Sequence, residues 1–96
     1  MKTLHNDKLI GRMVLSKAGR DEGNFYIVIS QIDENYVLLA NGRTKTMEMP
    51  KKKKLKHLVL TNVMNEELRN SILSHDKNTD LKIKKNLKLN GIIEEV

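Results

Sequence analysis

The sequence predicts a mainly β protein, a small five-stranded antiparallel barrel followed by two short α-helices. Short apolar and β-branched runs recur at a spacing of roughly 10 residues through the first two thirds of the chain. Each run is bounded by residues typical of turns. The last third changes to helical spacing of its apolar residues. Because 96 residues make one domain, we expect a barrel over residues 1–62 and a helical extension over residues 63–96, packed on the barrel or on a partner.

The first three strands are predicted from runs of strand-forming residues. The first strand is "IGRMVLS", Ile10–Ser16, and the second is "FYIVISQI", Phe25–Ile32. The second run is almost entirely apolar, so we expect both of its faces to be covered. A turn at residues 33–35 leads into the third strand, "YVLLA", Tyr36–Ala40.

The last two strands are predicted on either side of a proline. Asn41-Gly42 is the strongest short hairpin signal, so "RTKTMEM", Arg43–Met49, is expected as the fourth strand. Pro50 lacks the N–H that a strand ladder needs and ends it. "LVLT", Leu58–Thr61, is the fifth strand. Five short strands in this length suit a barrel of SH3-like size, whereas an OB-fold would need longer strands and more chain.

Two helices are predicted in the tail. Asn65–His75 has a suitable N-cap residue, Asn65, and acidic residues in its first turn. Thr79–Gly91 is expected to end at its glycine. Each helix is too short to be stable alone, so its apolar face must be covered. The apolar residues on these faces are Leu68, Ile72, Leu73, Ile83 and Leu87.

The positive charge is concentrated in one part of the chain. The net charge is +6. Residues 1–62 hold twelve Lys and Arg against six acids, and residues 63–96 hold six of each. Within Arg43–His57 there are seven bases and one acid. A focused positive field of this kind attracts polyanions.

The sequence lacks the residues and motifs that several kinds of functional site require. There is no cysteine, which excludes disulfides and thiolate metal sites. His5, His57 and His75 are scattered, and neither a GxxxxGK[ST] loop nor a GxGxxG string is present. We therefore expect no enzyme activity, no catalytic or metal-binding residue and no cofactor. No apolar run approaches the ~18 residues of a membrane span, and no signal-peptide core is seen, so we expect a cytoplasmic protein with no membrane partner.

The loop between the first two strands, "KAGRDEGN", combines glycines with charge. Gly19 and Gly23 indicate a backbone that enters positive φ twice or that closely approaches something large. Lys17 and Arg20 add basic groups, which the neighbouring acids partly offset. An ordinary hairpin loop is the alternative to a functional one.

The string "IGRMVLSKAGRDEGNFYIVISQID" resembles the KOW motif. It is particularly similar to the small bacterial KOW-domain RNA-binding proteins, which resemble the eukaryotic and archaeal large-subunit ribosomal proteins six-e, fourteen-e and twenty-seven-e. The resemblance continues through "NGRTKTMEMPKKKKLKHLVLT", where the family also has a basic stretch after a proline. It implies an SH3-like barrel that binds RNA. The helical tail lies outside the motif.

The family's RNA contacts, carried onto this chain, point to the glycine loop and to the run Lys51–Lys54. We expect that run to be a phosphate-binding loop between two strands, with a merely solvated loop or a nuclear address as alternatives. Arg20 and Arg43 are expected to make more specific contacts, because guanidinium binds phosphate and guanine bidentately. The candidate RNA-binding residues are Lys17, Gly19, Arg20, Gly23, Arg43, Lys45, Lys51, Lys52, Lys53, Lys54, Lys56 and His57.

The three aromatic residues bear on how RNA would be bound. Phe25, Tyr26 and Tyr36 lie in apolar strands and are expected in the core, so a platform for stacking single-stranded bases is not expected. Recognition of folded RNA by shape and phosphate is expected instead.

The favoured function is an RNA-binding protein of the translation machinery, ribosomal or ribosome-associated. Its partners would be RNA, above all ribosomal RNA, and ribosomal or other translation proteins. The alternative is a protein-interaction module that binds an acidic protein in transcription or translation. Burial of the helix faces on the barrel would remove the main support for that alternative. DNA binding is favoured less, since nothing resembles a major-groove reading helix.

Overall fold

A computed structural model describes the backbone of residues 7–95 and the side chains of residues 8–90. After a short 3₁₀ turn at Asp7–Leu9, the elements are five strands, a second 3₁₀ turn and two helices. Their bounds are β1 Arg12–Ser16, β2 Phe25–Gln31, β3 Tyr36–Ala40, β4 Lys51–Lys54, the 3₁₀ turn Leu55–His57, β5 Leu58–Met64, α1 Glu66–Ser74 and α2 Thr79–Glu95.

The five strands form one antiparallel sheet in the order β4-β3-β2-β1-β5. The chain returns after β4, so that β5 pairs with β1 from Ser16 opposite Leu58 to Arg12 opposite Met64. Within the described residues the two edge strands, β4 and β5, do not pair with each other, and the sheet is open. The mainly β class with two C-terminal helices is confirmed, while closure into a barrel stays a prediction.

The predicted fourth strand, Arg43–Met49, is wrong. This segment is a loop, because its backbone donors bond to side chains or, at Thr46, to the Met49 carbonyl oxygen within the segment, and not to a neighbouring strand. Asn41 Oδ1 accepts from the backbone N–H groups of Arg43 at 2.9 Å and Lys45 at 3.0 Å. The Met47 N–H donates to Asp80 Oδ1 at 2.9 Å. The two-residue hairpin expected at Asn41-Gly42 is therefore a longer connection that is tied to α2.

The fourth strand is instead the lysine run itself, which we call the lysine strand, Lys51–Lys54. It pairs with β3 from Leu39 opposite Lys51 to Tyr36 opposite Lys54. The expectation that the run Lys51–Lys54 is a loop between two strands is therefore wrong. An edge strand tolerates charge because one side of its backbone faces solvent, and lysines there discourage pairing with another chain.

Two apolar clusters lie on opposite faces of the sheet. One combines sheet residues with α1 and α2, and its buried members are Ile10, Met13, Ile27, Ile29, Ala40, Leu68, Ile72 and Ile83. The other lies on the opposite face and consists of Val14, Tyr26, Val28, Val37, Leu39 and Leu58. The apolar β2 contributes to both clusters, which confirms the expectation that both of its faces are covered.

The helix signals were partly correct. Asn65 Oδ1 accepts from the Leu68 N–H at 2.8 Å, which confirms the predicted N-cap. Gly91 does not end the second helix, which continues to Glu95. None of the helices in the described part of the chain is long and apolar enough to cross a membrane.

Candidate nucleic-acid interface

The lysine strand has two chemically different faces. Side chains alternate along a strand, and directly opposite residues point to the same side of the sheet. Lys51 and Lys53 therefore share a face with the β3 residues Leu39 and Val37, which belong to the second apolar cluster. We call this side the inner face. The other two lysines lie on the outer face, opposite Leu38 and Tyr36.

On the inner face, Lys53 is committed to internal contacts. Its Nζ donates to Asp21 Oδ1 at 2.7 Å and to the Ala18 carbonyl oxygen at 2.8 Å. The Lys53 side chain is only 10% exposed. Lys51 Nζ lies farther from the same carboxylate, 3.7 Å from Asp21 Oδ2. The ammonium group of Lys53 therefore holds the glycine loop against β4.

Asp21 is the centre of this contact. Ser16 Oγ donates to Asp21 Oδ1 at 2.9 Å, and the Tyr26 hydroxyl donates to Asp21 Oδ2 at 3.1 Å. Burial opposes ionisation of the carboxyl group and is the largest single influence, but the hydrogen bonds and charge of Lys53 with the two hydroxyl donors outweigh it. The pKa of Asp21 is consequently held well below its usual range. Burial, and then the bond to Asp21, raise the pKa of Tyr26.

This arrangement sorts the charges of the glycine loop. Asp21 points inward and is neutralised by lysine, whereas Lys17, Arg20 and the acidic Glu22 are exposed. Gly19 and Gly23 have φ of +89° and +93°, which confirms the expected excursions to positive φ. Nothing lies within 4 Å of a Cβ built on Gly23. The backbone conformation of the turn alone thus accounts for the glycines.

On the outer face the lysines lie over an aromatic ring. Lys52 Nζ is 4.6 Å from the centroid of the Tyr36 ring, and Lys54 Nζ is 5.9 Å from it. Tyr36 is half-buried and belongs to neither apolar cluster. The expectation that Tyr36 lies in the core is wrong. Tyr26 is buried in the second apolar cluster, and Phe25 packs against the first.

A cavity of about 450 Å³ opens beside this ring, and we call it the Tyr36 pocket. The Leu55 N–H donates to the Asn35 carbonyl oxygen at 2.8 Å, which joins the β2–β3 turn to the 3₁₀ turn after β4. The pocket is lined by Asn35, Tyr36, Lys54, Leu55 and Lys56. Sequence reasoning missed Asn35 and Tyr36, since their proximity to the lysines depends on the pairing of β3 with β4.

The other candidate residues fall into two groups. The Lys17 N–H donates to the His57 carbonyl oxygen at 2.9 Å, so Lys17 lies beside the 3₁₀ turn that carries Lys56 and His57. Arg43 and Lys45 lie instead in the loop before β4, which packs on α2. Arg43 is exposed and Lys45 is half-buried.

Comparison with known proteins adds no family to this description. A scan against protein-family models finds no matching family, and a search of curated proteins finds no significant match. The described residues also hold no group of three or more His, Asp or Glu side chains that could bind a metal ion.

Proposed function

We propose that this chain is an RNA-binding protein of the translation machinery, ribosomal or ribosome-associated, which docks on structured RNA through a basic surface. The observation that carries the proposal is the outward charge of the lysine strand and the turn that follows it. In the described part of the chain no carboxylate lies within 4 Å of the ammonium groups of Lys52, Lys54 or Lys56. These three cations remain available to an external anion.

The chemistry of such a surface suits phosphate. Lysine is a point charge that attracts phosphate without distinguishing bases. Each phosphate that it neutralises releases counterions, which favours binding at low salt. Lys17 and Arg20 are exposed on the glycine loop, which the Asp21–Lys53 contact holds close to β4. The loop meets β4 on its inner face, and Lys17 extends the basic surface from beside the 3₁₀ turn that carries Lys56.

The fold part of the proposal is an SH3-like KOW barrel. In a flat sheet, β4 would lie three strand spacings, or about 14 Å, from β1. The loop after β1 nevertheless reaches the inner face of β4, where Asp21 Oδ1 and Lys53 Nζ are 2.7 Å apart. Curling of the sheet toward closure accounts for this contact. The return of β5 to β1 supports the same proposal.

The alternative of a protein-interaction module has lost its main support. The apolar residues Leu68, Ile72 and Ile83 of the two helices are buried against the sheet, and Leu87 packs against the same cluster. These four residues are engaged within the protein, whereas Leu73, which the sequence places on the apolar face of the first helix, is 44% exposed. An acidic protein meeting the lysines remains an outcome that the experiment below distinguishes from RNA.

The test is sedimentation of the tagged protein from its own cells through sucrose gradients at low and high salt. We expect the protein to sediment with ribosomal particles at low salt and to leave them at high salt. The triple variant Lys52→Glu, Lys54→Glu and Lys56→Glu is expected to remain at the top of the gradient.

The matched control reverses three exposed lysines of the tail, Lys77, Lys85 and Lys88. It changes the net charge equally but spares the proposed surface, so it should sediment like the wild type. If the wild-type protein stays at the top of the gradient at both low and high salt, the proposed association with ribosomes would be overturned. If the protein stays bound to a partner after the fractions are treated with ribonuclease, that partner is not RNA, and an acidic protein would be favoured.

A further inference from the structure

The Tyr36 pocket differs from the rest of the basic surface because it combines a ring, an amide, an apolar wall and two cations. Its volume of about 450 Å³ falls within the ~300–1000 Å³ typical of small-ligand sites. A surface that only neutralised phosphates would need neither a ring nor a concave shape. The pocket therefore suits a ligand with a flat aromatic part and an anionic part.

The ring of Tyr36 is suited to stacking. It is half-buried, which holds it in place, and it lies outside both apolar clusters. Lys52 Nζ lies 4.6 Å from its centroid. A cation–π contact at an exposed site is weaker than the stacking of a base on an aromatic side chain. A base can thus take the place of this ammonium group over the ring and leave Lys52 for a phosphate.

The remaining lining residues supply the other parts of the site. The exposed Asn35 amide carries both hydrogen-bond donors and an acceptor, and it forms no side-chain hydrogen bond within the described part of the chain. Such a group can bond to the edge of an unpaired base. Leu55 provides an apolar wall, and Lys54 and Lys56 provide positive charge.

We infer that the Tyr36 pocket binds one unpaired nucleotide of a bound RNA. The base stacks on Tyr36, its edge meets Asn35, and its phosphate lies between Lys54 and Lys56. This inference rests on the proposed RNA binding and deepens it, since it places a bulged or looped-out nucleotide within an otherwise folded RNA.

The test compares two short RNA duplexes, one fully paired and the other identical except for a single unpaired adenosine in its middle. Binding is measured at low salt by fluorescence anisotropy of a labelled strand. We expect the wild-type protein to bind the bulged duplex about tenfold more tightly, in line with the usual strength of base–aromatic stacking. Tyr36→Leu should lose this preference, and Tyr36→Phe should retain it.

Asn35→Ala is a second variant, which removes an exposed side chain and leaves both apolar clusters intact. It should reduce the preference for the bulge several-fold. Equal wild-type affinity for the two duplexes would overturn the inference and leave the proposed function standing. A bulge preference that persists in both Tyr36→Leu and Asn35→Ala would also overturn the inference. Binding of neither duplex at low salt would overturn both proposals.

Discussion

Lys53 Nζ lies 2.7 Å from Asp21 Oδ1 and joins the edge strand β4 to the loop after β1. Two strands lie between β4 and β1 in the sheet order. Both side chains are largely withdrawn from solvent, at 10% and 12% exposed. The contact lies beside the second apolar cluster, because Asp21 also accepts from the Tyr26 hydroxyl and Lys53 is opposite Val37. The two basic residues of the loop, Lys17 and Arg20, are exposed. One ion pair thereby links the stability of the fold to the layout of the proposed RNA-binding surface.

Removing one partner of this pair should destabilise the protein. Asp21→Asn leaves the Lys53 ammonium group shielded from water with no opposite charge, and breaking a buried pair in this way costs about 3–5 kcal/mol. Because some solvent reaches both groups, we expect a loss of about 2–4 kcal/mol in the free energy of unfolding. Urea denaturation measures it.

The control is Lys52→Met on the outer face of the same strand, which should change the free energy of unfolding by about 0.5 kcal/mol or less. Equal losses for Asp21→Asn and Lys52→Met would show that the Lys53–Asp21 contact does not hold the loop.

Acid should weaken the same contact. The pKa of Asp21 is lowered in the folded protein, whereas the unfolded chain has the ordinary value of about 3.9. A lowered pKa adds stability that is complete above the unfolded value and is lost as the pH falls toward the folded value. We expect the free energy of unfolding to decline progressively below about pH 5. In Asp21→Asn this decline should be shallower, and an equally steep decline in both proteins would contradict the assignment to Asp21.

Gly42→Ala should destabilise the β3–β4 loop for two reasons. Gly42 has a φ of +78°, and a Cβ at this position would overlap the Asp80 carbonyl oxygen at the start of α2. Strain at positive φ costs about 1–3 kcal/mol, and the overlap adds to it by pushing the loop away from α2. Thermal unfolding measures the combined loss.

Gly23→Ala is the matched control for Gly42→Ala, because Gly23 also has a positive φ, +93°, but nothing lies within 4 Å of a Cβ at its position. It should show only the conformational cost of positive φ, about 1–3 kcal/mol. If Gly42→Ala unfolds no more readily than Gly23→Ala, the loop does not depend on its contact with α2.

RNA affinity should depend on salt through the outward lysines. Each phosphate that is neutralised contributes about 0.9 to the slope of log K against log salt for a duplex. Lys52→Ala, Lys54→Ala and Lys56→Ala should each lower the magnitude of the slope by about one. Affinities measured across a salt series provide the slopes. Lys77→Ala, in the exposed connection between the helices, should leave the slope unchanged. If Lys77→Ala lowers the slope as much as the other three variants do, the RNA contacts are not confined to the outward lysines.

Several elements could be predicted because their signals are local. The first three strands follow from β-branched and apolar runs between turn residues, and β3 has the bounds that were predicted. The N-cap at Asn65 needs only its own side chain and the N–H of Leu68. Gly91 shows the limit of such signals. A glycine costs a helix about 1 kcal/mol, which did not suffice to end α2 there.

By itself, the sequence determined the mainly β class, the two helices and the concentration of positive charge, because each depends on residues that are neighbours along the chain. Only the tertiary structure decided that the lysine run is a strand, since four consecutive lysines have no apolar alternation and become a strand by pairing with β3. That pairing also decided which lysines face outward. The register places Lys53 toward Asp21 and Lys52 toward Tyr36, so one residue type at adjacent positions serves the fold on one face and is available to a partner on the other.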